Sequence, residues 1–169
     1  MTKGEHDEIT GLIKENLGLI YKVANSYCKA QHEQEDLIQE IIFHLLKAYP
    51  RFDHQVKVTT WMYKVAFNVS ISHFRKISTR QKYLAPMPEK LVSIDEAGPE
   101  ESNDDLRLLQ QFIEELDPLN KAILIMYLDG NHHNDIAQAM GLSESNVGTK
   151  IGRIKKQLQK KFKEYEHGK

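Results

Sequence analysis

The chain has 169 residues, 40% of them apolar and 28% charged, with a formal net charge of −1. That size allows one ordinary domain or two small ones, and the balance is globular rather than fibrous or disordered. A single cysteine excludes an internal disulfide and a Cys-rich zinc site. No apolar run approaches the roughly 18 residues of a membrane span. The opening MTKGEHDEIT lacks a secretory pattern, so a cytoplasmic protein is expected.

The first half reads as helices. Ile9, Leu12, Ile13, Ile20, Val23, Ala24 and Tyr27 recur at helical spacing and mark one apolar face. Leu37, Ile38, Ile41, Ile42, Leu45 and Leu46 repeat the pattern behind an acidic first turn of Glu33, Glu35 and Asp36, which suits the positive end of a helix dipole. Pro50 stops that helix, and a connector follows in which Thr60 is the expected N-cap. A third helix carries Trp61, Met62, Val65, Ala66, Val69 and Phe74.

From 78 to 105 the periodicity disappears among Pro86, Pro88, Gly98 and Pro99, and a flexible acidic linker is expected, with Leu91 to Ile94 as a stretch that could dock on a partner. Leu108, Leu109, Phe112, Ile113 and Leu116 then form a helix ended by Asp117-Pro118. Ala122, Ile123, Ile125, Met126 and Leu128 form another, closed by Asp129-Gly130. The fold class is therefore all-α, with two small helical domains, 5–77 and 106–165, joined by the linker.

The bland total charge hides a contrast. Residues 78–105 carry a net −4, whereas 147–163 hold seven cations and no acid. Only this local charge matters to a polyanion within a Debye length of about 10 Å. The same basic stretch belongs to the strongest local pattern, HHNDIAQAM, GLS, then ESNVGTKIGRIKKQLQKKF, the layout of a helix-turn-helix. Gly141 supplies a left-handed turn residue and Ser143 an N-cap. Ile136, Ala137, Met140, Leu142, Val147 and Ile151 are the expected buried contacts. Glu144, Ser145, Asn146, Gly148, Thr149, Lys150 and Arg153 are left for the major groove. Lys155, Lys156 and Lys160 add phosphate attraction.

In the first domain, Trp61, Tyr63 and Phe67 read either as core or, beside Lys57, Lys64, Arg75 and Lys76, as aromatics that stack on unpaired bases. The adjacent His132 and His133 point about 100° apart on a helix and do not read as a metal pair. No ligand spacing, phosphate loop or paired carboxylates stand out, so no catalytic site, metal or cofactor is expected.

DLIQE at 36–40, LLKAYPRFD at 45–53 and TTWMYKVAFN at 59–68 resemble sigma region 2 of the sigma-70 class. LDGNHHNDIAQAMGLSESNVGTKIGRIKKQL at 128–158 resembles sigma region 4. With only a short linker between them, the chain is similar to the two-domain extracytoplasmic-function (ECF) sigma factors. The resemblance implies a promoter-specificity subunit of bacterial RNA polymerase, monomeric when free and in many members held by an anti-sigma protein.

The resemblance also implies site residues. Asp36, Gln39 and Glu40 match the face that docks on the clamp coiled coil of the β′ subunit. Trp61, Lys64 and Asn68 match the part that melts the −10 element, with Arg75 and Lys76 on phosphate. The groove residues of the last helix match the −35 reader. Ile123, Met126 and Tyr127 are candidates for the β flap. The chain departs from the family pattern at four places: Ser72 replaces an acid, Lys76 an arginine, the pair Asn134-Asp135 a pair of acids, and Gly148 a larger polar or cationic residue. These bear on promoter preference rather than class. An ordinary helix-turn-helix regulator would leave the DLIQE helix unexplained, and a sigma-shaped protein that only sequesters partners would bind polymerase without initiating.

Overall fold

In the computed structural model, residues 2–83 and 104–168 are described, the first segment with side chains to residue 80. Among them lie eight α-helices and no strand. The first lobe holds α1 (Lys3–Glu15), α2 (Leu17–Tyr27), α3 (Gln31–Ala48), a 3-10 turn (Tyr49–Arg51) and α4 (Val58–Tyr83). The second holds α5 (Asp104–Glu115), α6 (Pro118–Leu128), α7 (His133–Met140) and α8 (Glu144–His167).

Local chemistry explains the boundaries. Thr2 and Glu5 form a reciprocal capping box at the start of α1. The apolar face expected over 9–27 is split at Asn16, whose side-chain amide donates to the Leu12 carbonyl at 2.8 Å and so competes with helix continuation. Thr60 is not an N-cap. The Trp61 amide already donates to the Lys57 carbonyl at 3.1 Å, which places Thr60 inside the first turn of α4, buried. At its other end α4 runs to Tyr83, into the segment expected to be linker, while 84–103, with the Leu91–Ile94 stretch, lies outside the described residues.

In the second lobe, Asp117 caps α6 by accepting from the Asn120 amide at 3.1 Å, with Pro118 at the first helical position, where its missing N–H costs nothing. Gly130 and Gly141 take the left-handed φ values of +82° and +67° that end α6 and α7. Lys121 through Met126 are all buried, so α6 is enclosed by its neighbours rather than amphipathic. Ile123 and Met126 are fully enclosed in that core, which corrects the expectation that they face the β flap. Tyr127 stays partly exposed.

One apolar cluster runs through both lobes, from Ile20, Leu37, Ile41 and Phe67 to Ile123, Met126, Ile136 and Val147. The lobes meet where α4 packs on α6 and α7. Polar bonds cross the same seam: the Tyr27 hydroxyl donates to the Pro118 carbonyl at 2.7 Å, and the Lys121 ammonium to the Ser26 carbonyl at 3.1 Å.

Candidate nucleic-acid and polymerase interface

Three surfaces collect the candidate residues. On α3 the apolar stripe of Leu37, Ile38, Ile41 and Leu45 turns inward, which leaves Asp36 and Gln39 exposed and Glu40 half-buried. Glu40 lies 3.5 Å from Nδ1 of His73 on α4, a contact that restrains its carboxylate. Phe43, one turn beyond Gln39, is 59% exposed, with the Lys47 ammonium 6.0 Å from its ring centroid. Sequence reasoning passed over Phe43, although its position outside the buried stripe was a signal.

The second surface joins the connector to α4. Tyr63 and Phe67 are core residues, stacked at 5.6 Å, and are not free to stack on bases. Trp61 is only 9% exposed and stacks on Phe52 at 4.8 Å, with Tyr49 at 5.9 Å. Its exposed margin, with Phe52, Lys64, Asn68 and Gln138, lines a cavity of about 350 Å³. The structure therefore brings together Trp61, Lys64 and Asn68, as the resemblance implied, but presents the tryptophan as one wall and not as a projecting ring. His54 adopts φ +58° beside this cluster, a conformation that histidine tolerates better than most side chains. Arg75 and Lys76 are exposed on α4, roughly 10 Å further along the helix than Asn68. Phe52, His54 and Gln138 were not singled out from the sequence, because a connector gives no periodicity and Gln138 comes from the other lobe.

The third surface is the helix-turn-helix. The Leu142 amide donates to the Ala137 carbonyl at 3.0 Å across the Gly141 turn, and the Ser143 hydroxyl accepts from the Asn146 amide at 3.1 Å. Ile136, Ala137, Val147 and Ile151 are buried as expected, while Met140 and Leu142 are half-buried against them. Glu144, Ser145, Asn146, Thr149 and Arg153 form one exposed face at the start of α8, with Gly148 and Lys150 half-buried at its edge. The Thr149 hydroxyl donates to the Ser145 carbonyl at 3.1 Å, which leaves its lone pairs outward.

Not every cation of α8 is equally available. Lys155 donates to the Tyr127 hydroxyl at 2.6 Å and sits 4.5 Å from that ring's centroid. Lys160 pairs with Glu164 at 3.7 Å, and Lys161 pairs with Glu115. Lys150, Arg153 and Lys156 make no ion pair with a described residue. No group of three metal-capable side chains gathers among the described residues, and no helix there is long and apolar enough to cross a membrane.

Two family models match the chain, Sigma-70 region 2 over residues 12–80 and Sigma-70, region 4 over residues 106–158. The first contains the α3 and α4 surfaces, the second the helix-turn-helix. The chain belongs to the ECF group of the sigma-70 family. This sigma factor is 26% identical to the ECF RNA polymerase sigma factor SigW of Bacillus subtilis over 96% of its own length and 92% of that relative. It is also 26% identical to SigX of the same organism, over 83% of the chain and 76% of the relative. Its fold matches the sigma factor RpoE in a complex with the anti-sigma factor NepR from Bartonella quintana. That match has a TM-score of 0.71 at 17% identity and covers 92% of this chain and 97% of that one. CnrH, solved with the cytosolic domain of CnrY, matches with a TM-score of 0.63 at 16% identity, over 89% and 84% of the two chains.

Proposed function

We propose that this sigma factor joins core RNA polymerase through Asp36, Gln39 and Glu40 on α3. It holds unpaired bases of the −10 element at Trp61, Lys64 and Asn68, with Arg75 and Lys76 on the backbone phosphates. It reads the −35 element through the start of α8, where Ser145, Asn146, Thr149 and Lys150 offer hydroxyl, amide and cationic groups to base edges, flanked by Glu144, Gly148 and Arg153. The chain itself performs no bond chemistry. It positions the polymerase, and its place of work is the cytoplasm, where polymerase and promoter meet.

The observation that carries this reading is that Trp61, Lys64 and Asn68, separated by three and four residues, line a single cavity. A cavity with an aromatic wall, an amide and an ammonium has the composition that unpaired bases recognise: a surface to stack on, hydrogen-bonding groups for a base edge and a cation for phosphate. The test is run-off transcription with purified core polymerase on a genomic promoter library. Wild type yields discrete transcripts, Gln39→Ala/Glu40→Ala loses them with loss of core binding, and Asn68→Ala loses them while core binding persists. If wild type gives no transcript yet binds promoter-like DNA tightly alone, the sigma reading fails.

A further inference from the structure

Of the three residues assigned above to the polymerase, Glu40 is the one held by a neighbouring helix. The side chains of Asp36 and Gln39 stand exposed on α3 and make no hydrogen bond or ion pair with a described residue. The Glu40 carboxylate lies 3.5 Å from Nδ1 of His73, which belongs to α4 where that helix packs along α3. Asp36 precedes Glu40 by four residues, the spacing at which like charges on a helix repel. Its own helix therefore offers Glu40 no partner one turn back, and His73 supplies one from across the groove between the helices.

Histidine is a costly choice for that place. The side chain is 23% exposed, and its Nε2 is enclosed without a hydrogen-bond partner among the described residues. Val69, one turn earlier on α4, is buried, so a leucine at 73 would continue the packing and strand no polar atom. An unpaired buried nitrogen is destabilising, and packing alone gives no reason to keep it. The reason lies with the other nitrogen. A carboxylate facing Nδ1 selects the tautomer with its proton there, so that Nδ1–H is turned to Glu40 and Nε2 keeps only a lone pair. A stranded lone pair is better tolerated than a stranded N–H.

We infer that His73 is a positioning residue for core polymerase, fixing the Glu40 carboxylate in the orientation that docks. The inference rests on the assignment of Glu40 to the polymerase face. A glutamate side chain has three torsions, and ordering them on binding opposes association. Here the carboxylate is restrained before the partner arrives, while the side chain stays 39% exposed and open to it. α4 then serves two contacts: Asn68 and Arg75, on either side of His73 in the chain, are assigned to promoter DNA, while His73 acts through α3.

The test is binding of the full chain, fluorescently labelled at its C-terminus, to purified core polymerase without DNA, followed by anisotropy. His73→Leu is expected to weaken binding about threefold to tenfold, the effect of leaving one flexible side chain to be ordered by the partner. Its melting temperature is expected to hold or rise, because the stranded nitrogen is gone. His73→Asn, whose amide N–H can stand where Nδ1–H stands, is expected to restore most of the affinity. In a Glu40→Ala background, His73→Leu is expected to cause no further loss. Wild-type affinity in His73→Leu overturns the inference, as does an equal loss with and without Glu40, which would show that His73 acts by another route. A fall in melting temperature in His73→Leu with no rescue by asparagine reduces His73 to a packing residue and overturns it as well. If Glu40→Ala binds core polymerase as wild type does, the assignment of Glu40 falls and the inference with it. A weakened Glu40→Ala beside a silent His73→Leu removes the inference alone.

Discussion

A Cβ built on Gly148 would stand 3.6 Å from Nδ1 of His133, an ordinary van der Waals distance across the helix-turn-helix. Gly148 has no positive φ and lies in the second turn of α8, so nothing in the backbone requires glycine there. What it supplies is absence, a bare patch of helix beside the exposed face.

Gly148→Ala should therefore fit without displacing His133 and should stabilise the second lobe, because alanine in a helix interior is favoured over glycine by up to about 1 kcal/mol. Thermal unfolding followed by circular dichroism checks this, with a rise of a few degrees expected. A fall would mean that the His133 ring cannot yield even at van der Waals contact.

Ser143→Ala should act in the opposite direction. The Ser143 hydroxyl accepts from the Asn146 amide at the first turn of α8, and loss of such a cap costs about 1 kcal/mol. Because that turn carries Glu144, Ser145 and Asn146, fraying should weaken −35 binding by more than the stability loss alone would, and Ser143→Asp should restore both. Denaturant melts and footprinting of the holoenzyme on one promoter separate the two effects.

Three tyrosines should resist ionisation. Burial raises Tyr27, with the Asp117 charge adding to it; burial also raises Tyr63, with its bond to Asp129 and that charge, and Tyr49 is raised chiefly by burial. A phenol held neutral in the folded state supports folding in full below its ordinary pKa of about 10 and loses that support as pH rises toward the folded value. Spectrophotometric titration should therefore show late tyrosinate formation coupled to unfolding. In Tyr63→Phe the late amplitude should shrink by one residue. For Asp129 the sign is reversed: burial would raise its carboxyl, but the bonds from Lys22 and Tyr63 and the Lys22 charge outweigh it and lower the pKa, so the stability those bonds add is present at neutral pH and is lost as pH falls through the folded value.

Much of this architecture was legible because it depends on short-range rules. The helix-turn-helix was readable from Gly141, Ser143 and the apolar spacing of Ile136, Val147 and Ile151, since each obeys a local requirement of backbone or burial. The α3 surface was readable for the same reason: Asp36 and Gln39 fall outside a strong apolar stripe. Thr60 misled because its residue type suits a cap, yet the helix had begun earlier. Ile123 and Met126 misled because a helix buried on every side carries no stripe to say which face a partner could reach.

The seam was invisible for a different reason. Tyr63 and Asp129 are 66 residues apart, and Lys57 and Asp135 are 78 apart. Nothing in the pattern around Asp129 distinguishes a turn residue that ends α6 from one that also receives two donors of another lobe. The aromatic wall at Trp61 was half legible: the resemblance to sigma region 2 grouped it with Lys64 and Asn68, but its stacking on Phe52 arises in a connector without periodicity.

The cations of α8 provide the last prediction. Phosphate contacts release counterions, so each one removed should lower the slope of log affinity against log salt by about 1. Lys156 is exposed and makes no ion pair with a described residue, whereas the Lys155 ammonium is held by the Tyr127 hydroxyl and lies over its ring. A lysine already engaged within its own lobe must give up that contact to reach DNA. In holoenzyme binding to one promoter across a salt series, Lys156→Ala should therefore flatten the slope by about one unit, while Lys155→Ala should leave it nearly unchanged and lower the melting temperature of the second lobe instead. Equal slopes for the two variants would show that Lys155 leaves Tyr127 on binding, which makes Tyr127→Phe, with its hydroxyl removed and its ring kept, the variant in which Lys155 reaches phosphate most readily.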